Sequence, residues 1–114
     1  MGYWLSIQFS PGQQDIISNQ SYMAVYLSVH ASNGYYAEHT NGTGVLTVNG
    51  VDYPFSGHYR VNGSSQVIHS VGVWVPHNPD GSKTLYASAS FNTRVVGTLT
   101  ASNSATLTTI PRAS

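Results

Sequence analysis

The chain has 114 residues, which is the size of one domain built around one hydrophobic core. Charged residues make up 7 % of it, against about 25 % in ordinary soluble domains, and the formal net charge is zero. With four scattered cations, the chain is not expected to bind nucleic acid or an anionic membrane surface. It has no cysteine, which excludes disulfides and thiolate metal sites.

The hydrophobic content of 40 % is sufficient for a packed core, so disorder is not expected. No apolar run approaches the roughly 18 residues that a membrane-spanning helix needs. The N-terminus lacks the basic and apolar regions of a secretory signal. A surface this close to neutral repels its copies weakly, so we expect oligomerisation or attachment to a larger assembly.

Apolar and polar residues alternate with a period of two along most of the chain, which predicts strands rather than helices. A β-branched stretch at residues 67–75 predicts one further strand. The predicted inward rows are Tyr3, Leu5, Ile7 and Phe9; Met23, Val25, Leu27 and Val29; Leu85, Ala87, Ala89 and Phe91; and Leu99, Ala101, Ala105 and Leu107.

Two turns are clear in the sequence. Asn49-Gly50 predicts a two-residue hairpin turn within residues 44–59. In residues 78–81, Asn-Pro-Asp-Gly, the proline sets φ for a turn and the glycine supplies a positive φ. Loops are predicted at residues 11–20, 32–43 and 62–66. About seven or eight short strands with turns between them predict an antiparallel β-sandwich, immunoglobulin-like or jelly-roll-like.

Residues 1–110 are therefore predicted to form a single sandwich module. Residues 111–114 are predicted to be an exit linker to a following domain, because a proline ends strand pairing and small polar residues follow it.

No catalytic constellation is apparent, and the sequence predicts a protein that is not an enzyme. The carboxylates are Asp15, Glu38, Asp52 and Asp80. Asp80 belongs to its turn, and a pairing of Asp15 with Glu38 across two loops has no support in the sequence. No Gly-x-Ser-x-Gly motif marks an activated serine.

The five histidines are spread along the chain without the spacing of metal ligands, so neither a metal nor a cofactor is predicted. His69 falls in an inward row and is expected to be a hydrogen-bonded core residue. His77 precedes the turn at residues 78–81 and is expected to have a structural role.

Neutral saccharide is the ligand that the composition favours. A sugar offers apolar C–H faces and hydroxyls, which suit exposed aromatic rings flanked by amides, hydroxyls and imidazoles. Tyr22 and Tyr26 are predicted to face outward on one strand. The candidate glycan-binding residues are Tyr26, Tyr35, Tyr36, His39, Trp74 and Tyr86.

Each of these aromatic residues also has a structural explanation, because aromatics favour strands and pack in cross-strand pairs. For Tyr35 and Tyr36, binding and plain loop packing remain open. Trp74 is opposite in parity to Val71, Val73 and Val75, but a bulge would reverse that parity, and a core position is favoured for it.

The last third of the chain resembles a known kind of module. HNPDGSKT at 77–84, ASASF at 87–91, GTLTAS at 97–102 and ATLTTIPRAS at 105–114 resemble a β-sandwich module of siphophage minor structural and tail-tip, receptor-binding proteins. The phages of that group infect Gram-positive bacteria, streptococci in particular. The resemblance implies a virion module that is made in the host cytoplasm and acts outside the cell.

The leading interpretation is a tail or baseplate adhesion module whose partner is host cell-wall polysaccharide. The alternatives are a structural spacer without its own ligand and an ancillary wall-binding domain of a phage lysin. Neighbouring tail proteins or further modules of the same chain are the expected protein partners, and an oligomer is allowed for.

Overall fold

The computed structural model describes residues 2–94 and 96–112, with the side chains of residues 37–40 left aside. Seven strands account for most of these residues. They are β1 (Tyr3–Asp15), β2 (Gln20–Ala31), β3 (Tyr36–Val48), β4 (Val51–Asn62), β5 (Ser65–Pro76), β6 (Thr84–Thr93) and β7 (Gly97–Thr106). Within the described ranges, no helix is long and apolar enough to cross a membrane.

The strands form two packed antiparallel sheets, so the predicted β-sandwich is confirmed. One sheet has the order β1-β2-β5 and the other has the order β4-β3-β6-β7. An immunoglobulin-type sandwich of seven strands places strands 1, 2, 5 and 4 in one sheet and 3, 6 and 7 in the other. Here β4 joins the second sheet, beside β3. The order is immunoglobulin-like with one strand moved, and the described residues form seven strands, not the eight of a jelly roll.

The predicted hairpin at Asn49-Gly50 is confirmed. Val48 pairs with Val51, and φ is 51° at Asn49 and 80° at Gly50, so both turn residues have the left-handed conformation of a type I′ turn. This turn fixes the register between β3 and β4, and the alternation then sends Leu46 and Val48 into the core.

The predicted inward rows fill the space between the sheets. Met23, Val25, Leu27 and Val29 on β2 are at most 2 % exposed, as are Leu85 and Phe91 on β6. The row on β7 is less complete, because Leu99, Ala101 and Ala105 are half-buried. Alternation thus located the core residues of β1, β2 and β6, whereas the core residues of β3 and β4, namely Leu46, Val48, Tyr59 and Val61, were not among the predicted rows.

Aromatic stacking crosses the core. The ring centroids of Phe55 and Phe91 are 5.7 Å apart with nearly parallel planes, and Tyr59 meets Phe91 edge-on at 5.4 Å. His69 stacks on Phe55 at 4.6 Å and is half-buried. The inward orientation of His69 is confirmed, but its described contact is ring stacking and not the expected hydrogen bond.

The strands are longer than predicted, and the loops at residues 11–20, 32–43 and 62–66 are correspondingly shorter. β1 continues through Pro11 to Asp15 with a register shift between Pro11 and Gln14, and β3 begins at Tyr36 with a shift between Ala37 and Thr40. Bulges break the alternation while pairing continues, so a pattern of period two ends before the strand does. Between β4 and β5 only Gly63 and Ser64 remain outside the strands.

The turn between β5 and β6 closes one end of the sandwich. The amide of Gly81 donates to the Asn78 carbonyl at 2.8 Å, and φ of Gly81 is 88°, as the turn sequence requires. His77 is buried and lies between Ser21 Oγ and the Gly81 carbonyl, each 2.7 Å from a ring nitrogen. A structural role for His77 accounts for this placement.

The end of the described chain contacts this same end of the sandwich. Ile110 is fully buried and its amide donates to the Gly81 carbonyl, while Arg112 donates to the Ile16 carbonyl at 2.6 Å. Ala113 and Ser114 lie outside the described residues. The exit linker at 111–114 stays a prediction.

Candidate ligand-binding face

The two sheets present outer faces of different chemistry. The outward side of β1-β2-β5, called here the aromatic face, carries Trp4, Ser6, Gln8, Ser10, Gln20, Tyr22, Ala24, Tyr26, Ser28, His30, Ser65, Val67, Ser70, Gly72, Trp74 and Pro76. Among its described residues the one carboxylate or fixed cation is Asp15, at the hairpin end of β1. The aromatic face is therefore uncharged along almost its whole length.

The outward side of β4-β3-β6-β7, called here the hydroxyl face, is built mainly from short polar side chains. These include Thr43, Thr47, Ser56, Ser88, Ser90, Asn92, Thr98, Thr100, Ser102 and Ser104. Tyr86 stands at one end of it and is 68 % exposed.

Tyr22 and Trp74 form one aromatic cluster. They are cross-strand partners on β2 and β5, and their ring centroids are 5.3 Å apart in an edge-on arrangement. A Cβ on Gly72 would overlap the phenol oxygen of Tyr22, and a Cβ on Gly12 would lie 2.9 Å from the same ring. The Tyr22 ring therefore lies down across the sheet, between two glycines on the neighbouring strands. A ring in this position offers its flat face to solvent.

Trp4 and His30 form a second cluster nearer the other end of the face. They are partners on β1 and β2, and their rings stack at 5.2 Å with 11° between the planes. Both nitrogens of His30 are within 2.6 Å of serine hydroxyls, Ser6 on one side and Ser65 on the other. These contacts fix the imidazole plane and with it the orientation of the Trp4 indole, which is 41 % exposed.

Tyr26 lies on β2 between the two clusters. Tyr22, Tyr26 and His30 are four residues apart, which corresponds to about 13 Å per step along a strand. The aromatic residues thus form a line along the central strand of the sheet, with Trp74 and Trp4 at its two ends. Such a line suits an extended ligand that runs parallel to β2.

The structure groups two of the predicted site residues and separates the rest. Tyr26 and Trp74 share the aromatic face and are 38 % and 48 % exposed. Tyr36 begins β3, and Tyr35 packs edge-on against Tyr3 at 5.6 Å. Tyr86 lies on the hydroxyl face. The side chain of His39 lies outside the described residues.

The favoured core position of Trp74 is wrong. The register of β5 shifts between the partners of Leu27 and Ser28, several residues before Trp74, so the outward parity of Trp74 holds. Three further residues of the face, Trp4, Tyr22 and His30, were not among the predicted site residues. The sequence feature that could have identified them is the outward position of each residue in the alternation of its own strand. Only the pairing of β1, β2 and β5 brings them into one group.

The described carboxylates have local partners. Asp52 accepts a hydrogen bond from Thr47 at 2.8 Å. Hydrogen bonds from Ser18 lower the pKa of Asp15, and hydrogen bonds from Ser82 lower the pKa of Asp80. In the described part of the chain, no three His, Cys, Asp or Glu side chains are grouped as metal ligands would be.

Comparison with known proteins gives a family. The model of the family described as siphovirus protein of unknown function (DUF859) matches residues 1–114. The chain belongs to this family. It is thus a siphovirus protein, which agrees with the siphophage part of the resemblance and supports association with the virion. No curated protein matches it.

Among solved structures, the siphovirus protein is similar to the crystal structure of a protein described as ApaA from Bordetella pertussis. The two are 14 % identical, the match covers 98 % of each chain, and the TM-score is 0.49. A likeness at this level says nothing about function.

Proposed function

We propose that this siphovirus protein is a non-catalytic module of the phage tail or baseplate that binds neutral saccharide of the host envelope through the aromatic face. The resemblance of its last third to tail-tip modules supports a Gram-positive, streptococcal-type host and action outside the cell. In that setting the partner is cell-wall polysaccharide.

The observation that carries the proposal is the unequal distribution of aromatic residues between the two outer faces. Strand propensity favours tyrosine and tryptophan on either face equally. Trp4, Tyr22, Tyr26 and Trp74 nevertheless all lie on one face, whereas the described outward residues of the larger, four-stranded sheet include two exposed tyrosines, Tyr36 at the start of β3 and Tyr86 on β6. Strand propensity alone does not explain this clustering, which supports recognition of a ligand with apolar faces.

The lack of charge supports a neutral ligand. A line of rings flanked by Ser, Gln and His side chains can stack on C–H faces and exchange hydrogen bonds with hydroxyls. Among its described residues it offers no fixed cation for phosphate or carboxylate. Single-site binding to such a surface is weak, and several copies on one virion turn weak contacts into firm attachment.

The proposal is tested by sedimenting a multimerised form of the protein with purified cell walls of host strains. Binding is expected for the native sequence and is expected to be lost in the double variant Tyr22→Ala, Trp74→Ala. The matched control is Tyr86→Ala, which removes the most exposed tyrosine from the opposite face. No binding to any host wall, or equal loss in the control, would contradict the proposal.

A spacer or assembly module is the second candidate. The molecule measures 56 × 24 × 18 Å, an elongated form suited to holding other parts of a tail protein at a distance. A spacer is expected to tolerate the double variant without any loss of phage adsorption. The lysin-domain alternative requires a catalytic partner domain and is tested by the genes that flank this one.

A further inference from the structure

A cavity of about 390 Å³ opens at the edge of the sandwich, where the hairpin end of β1 meets the end of β7. Its apolar lining includes Phe9, Met23 and Leu107, and the last two are core residues. Ser21 and Gln14 are among its polar lining residues. This size and this composition are typical of sites for small molecules, which are mostly apolar with a few placed polar groups.

The cavity adjoins the aromatic face. Gly12 lines the cavity and is also one of the two glycines against which the Tyr22 ring lies. Gly12 is therefore the point at which the cavity meets the Tyr22 end of the aromatic face.

A chain of hydrogen bonds fixes the polarity of the cavity rim. His77 Nδ1 lies 2.7 Å from the Gly81 carbonyl oxygen, which can only accept, so Nδ1 carries a hydrogen. In the neutral imidazole Nε2 then accepts, and the Ser21 hydroxyl, 2.7 Å away, donates to it. Ser21 Oγ is left to accept a hydrogen bond from the other side.

Gln14 completes this chain. Its Nε2 donates to Ser21 Oγ at 3.3 Å and to the Thr108 carbonyl at 2.7 Å, so both amide hydrogens are used. The Thr108 carbonyl can only accept, which excludes the flipped amide. Among the described residues no group donates to Gln14 Oε1. The rim therefore presents an oriented acceptor, next to an apolar interior.

We infer that this cavity binds one N-acetylated sugar residue of the saccharide, an inference that rests on the proposed function. The acetamido N–H donates to Gln14 Oε1, and the acetyl methyl group packs against Phe9, Met23 and Leu107. No Asp, Glu, Lys or Arg lines the cavity. The site therefore offers no ion-pair partner to a free amino sugar or a uronic acid.

The test is a titration of the ¹⁵N-labelled protein, followed by NMR, with three matched sugar pairs: N-acetylglucosamine with glucose, N-acetylgalactosamine with galactose, and N-acetylmannosamine with mannose. At least one N-acetylated sugar is expected to shift the backbone amides of Gln14, Ser21 and residues 105–108. Its dissociation constant is expected to be about tenfold lower than that of its parent hexose, the value of one hydrogen bond together with a buried methyl group.

Gln14→Met removes the acceptor and is expected to abolish the preference for the acetylated sugar. Gln13→Met, a neighbouring exposed glutamine on the same strand, is the matched control and is expected to keep it. A preference that persists in Gln14→Met contradicts the assignment of Gln14. The comparison of sugars on the native sequence decides the site even if a variant fails to fold.

The outcome separates this inference from the proposed function. Equal shifts with both members of every pair, or no shift at these amides by any of the six sugars, overturn the acetamido site. The wall-sedimentation experiment reports independently on the aromatic face. Wall binding without a cavity response leaves the proposed function standing and removes only the inference.

Discussion

The two outer faces of this sandwich occupy equivalent positions in the fold but differ in chemistry. Each is the outward half of an antiparallel sheet whose inward half fills the core. On β4-β3-β6-β7 the outward residues are mainly Ser, Thr and Asn, whereas on β1-β2-β5 Trp, Tyr and His are interspersed with Ser and Gln. Outward positions are not constrained by the core, so the choice of residue there carries functional information that the inward rows do not.

The contrast also shows how a ring is prepared for a ligand. Tyr22 and Trp4 are both held by neighbours: Tyr22 by the two glycines and Trp74, and Trp4 by the stacked His30. Tyr86 on the hydroxyl face has no such ring contact among the described residues and is far more exposed. Fixing the ring before binding lowers the entropy that binding costs.

The largest effect is expected from a charge placed in the middle of the aromatic face. Tyr26→Asp removes a stacking surface and adds a carboxylate that must lose water when a sugar covers it, so wall binding should fall about tenfold or more. Ser90→Asp makes the matched change in the middle of the hydroxyl face and should leave binding unchanged. Equal losses in the two variants would remove the functional distinction between the faces.

Gly72→Ala tests the position of Tyr22 without removing any aromatic side chain. The new methyl group would overlap the Tyr22 phenol oxygen, so the ring must lift from the sheet. Wall binding is expected to weaken about threefold to tenfold. Gly57→Ala on the other sheet is the control, because the nearest contact of its Cβ would be an ordinary 3.7 Å. Unchanged binding in Gly72→Ala, with Tyr22 seen to move, would show that the flat ring is not used.

Asp80 lies in the turn that connects the two sheets, and its removal should affect stability without affecting either face. Hydrogen bonds from Ser82 lower its folded pKa below the ordinary value of 3.8. A lowered pKa stabilises the fold at pH values above 3.8, and this contribution is lost as the pH falls through the folded pKa. Asp80→Asn should therefore lower Tm slightly at neutral pH.

Thermal melts of both proteins across the acid range measure this effect. The difference in Tm between the native sequence and Asp80→Asn should shrink as the pH falls below the folded pKa. A difference that stays constant with pH would show that the charge of Asp80 is not its cause. Wall binding per folded molecule should be the same for both proteins.

Salt should have the smallest effect. Binding through the uncharged aromatic face should change by less than about twofold between about 0.05 and 0.5 M NaCl, because no fixed charge pair is screened. The hydroxyl face carries Arg60 and Arg94. A steep loss of wall binding with salt, measured by the same sedimentation, would point to that face instead.

Much of the fold could be predicted because alternation is a local property. The inward rows on β1, β2 and β6 and the Asn49-Gly50 turn follow from residues within a few positions of one another. The strand ends could not be predicted in the same way. The register shifts at Pro11/Gln14 and Ala37/Thr40 interrupt the alternation within a strand. In the sequence such an interruption looks the same as the start of a loop.

The candidate site was predictable only in part. The outward orientation of Tyr22, Tyr26 and Trp74 was contained in the sequence, but the choice of partners was not. Tyr86 has the same outward parity as Tyr26 and belongs to the opposite face, because β6 pairs with β3 and not with β2. The hydrogen bonds that orient Gln14 could not be predicted from the sequence. Its partner Thr108 is 94 positions away, and His77 acts on it only through Ser21.

By itself, the sequence determined that this siphovirus protein is a β-sandwich with a neutral, aromatic-rich surface, because residue type and period two act over short distances. The tertiary structure alone decided which aromatic residues share a face, that two glycines from different strands lay the Tyr22 ring flat, and that Gln14 presents an acceptor beside an apolar cavity. These features depend on the pairing of strands distant in the chain, and strand pairing is set by the packing of the whole core.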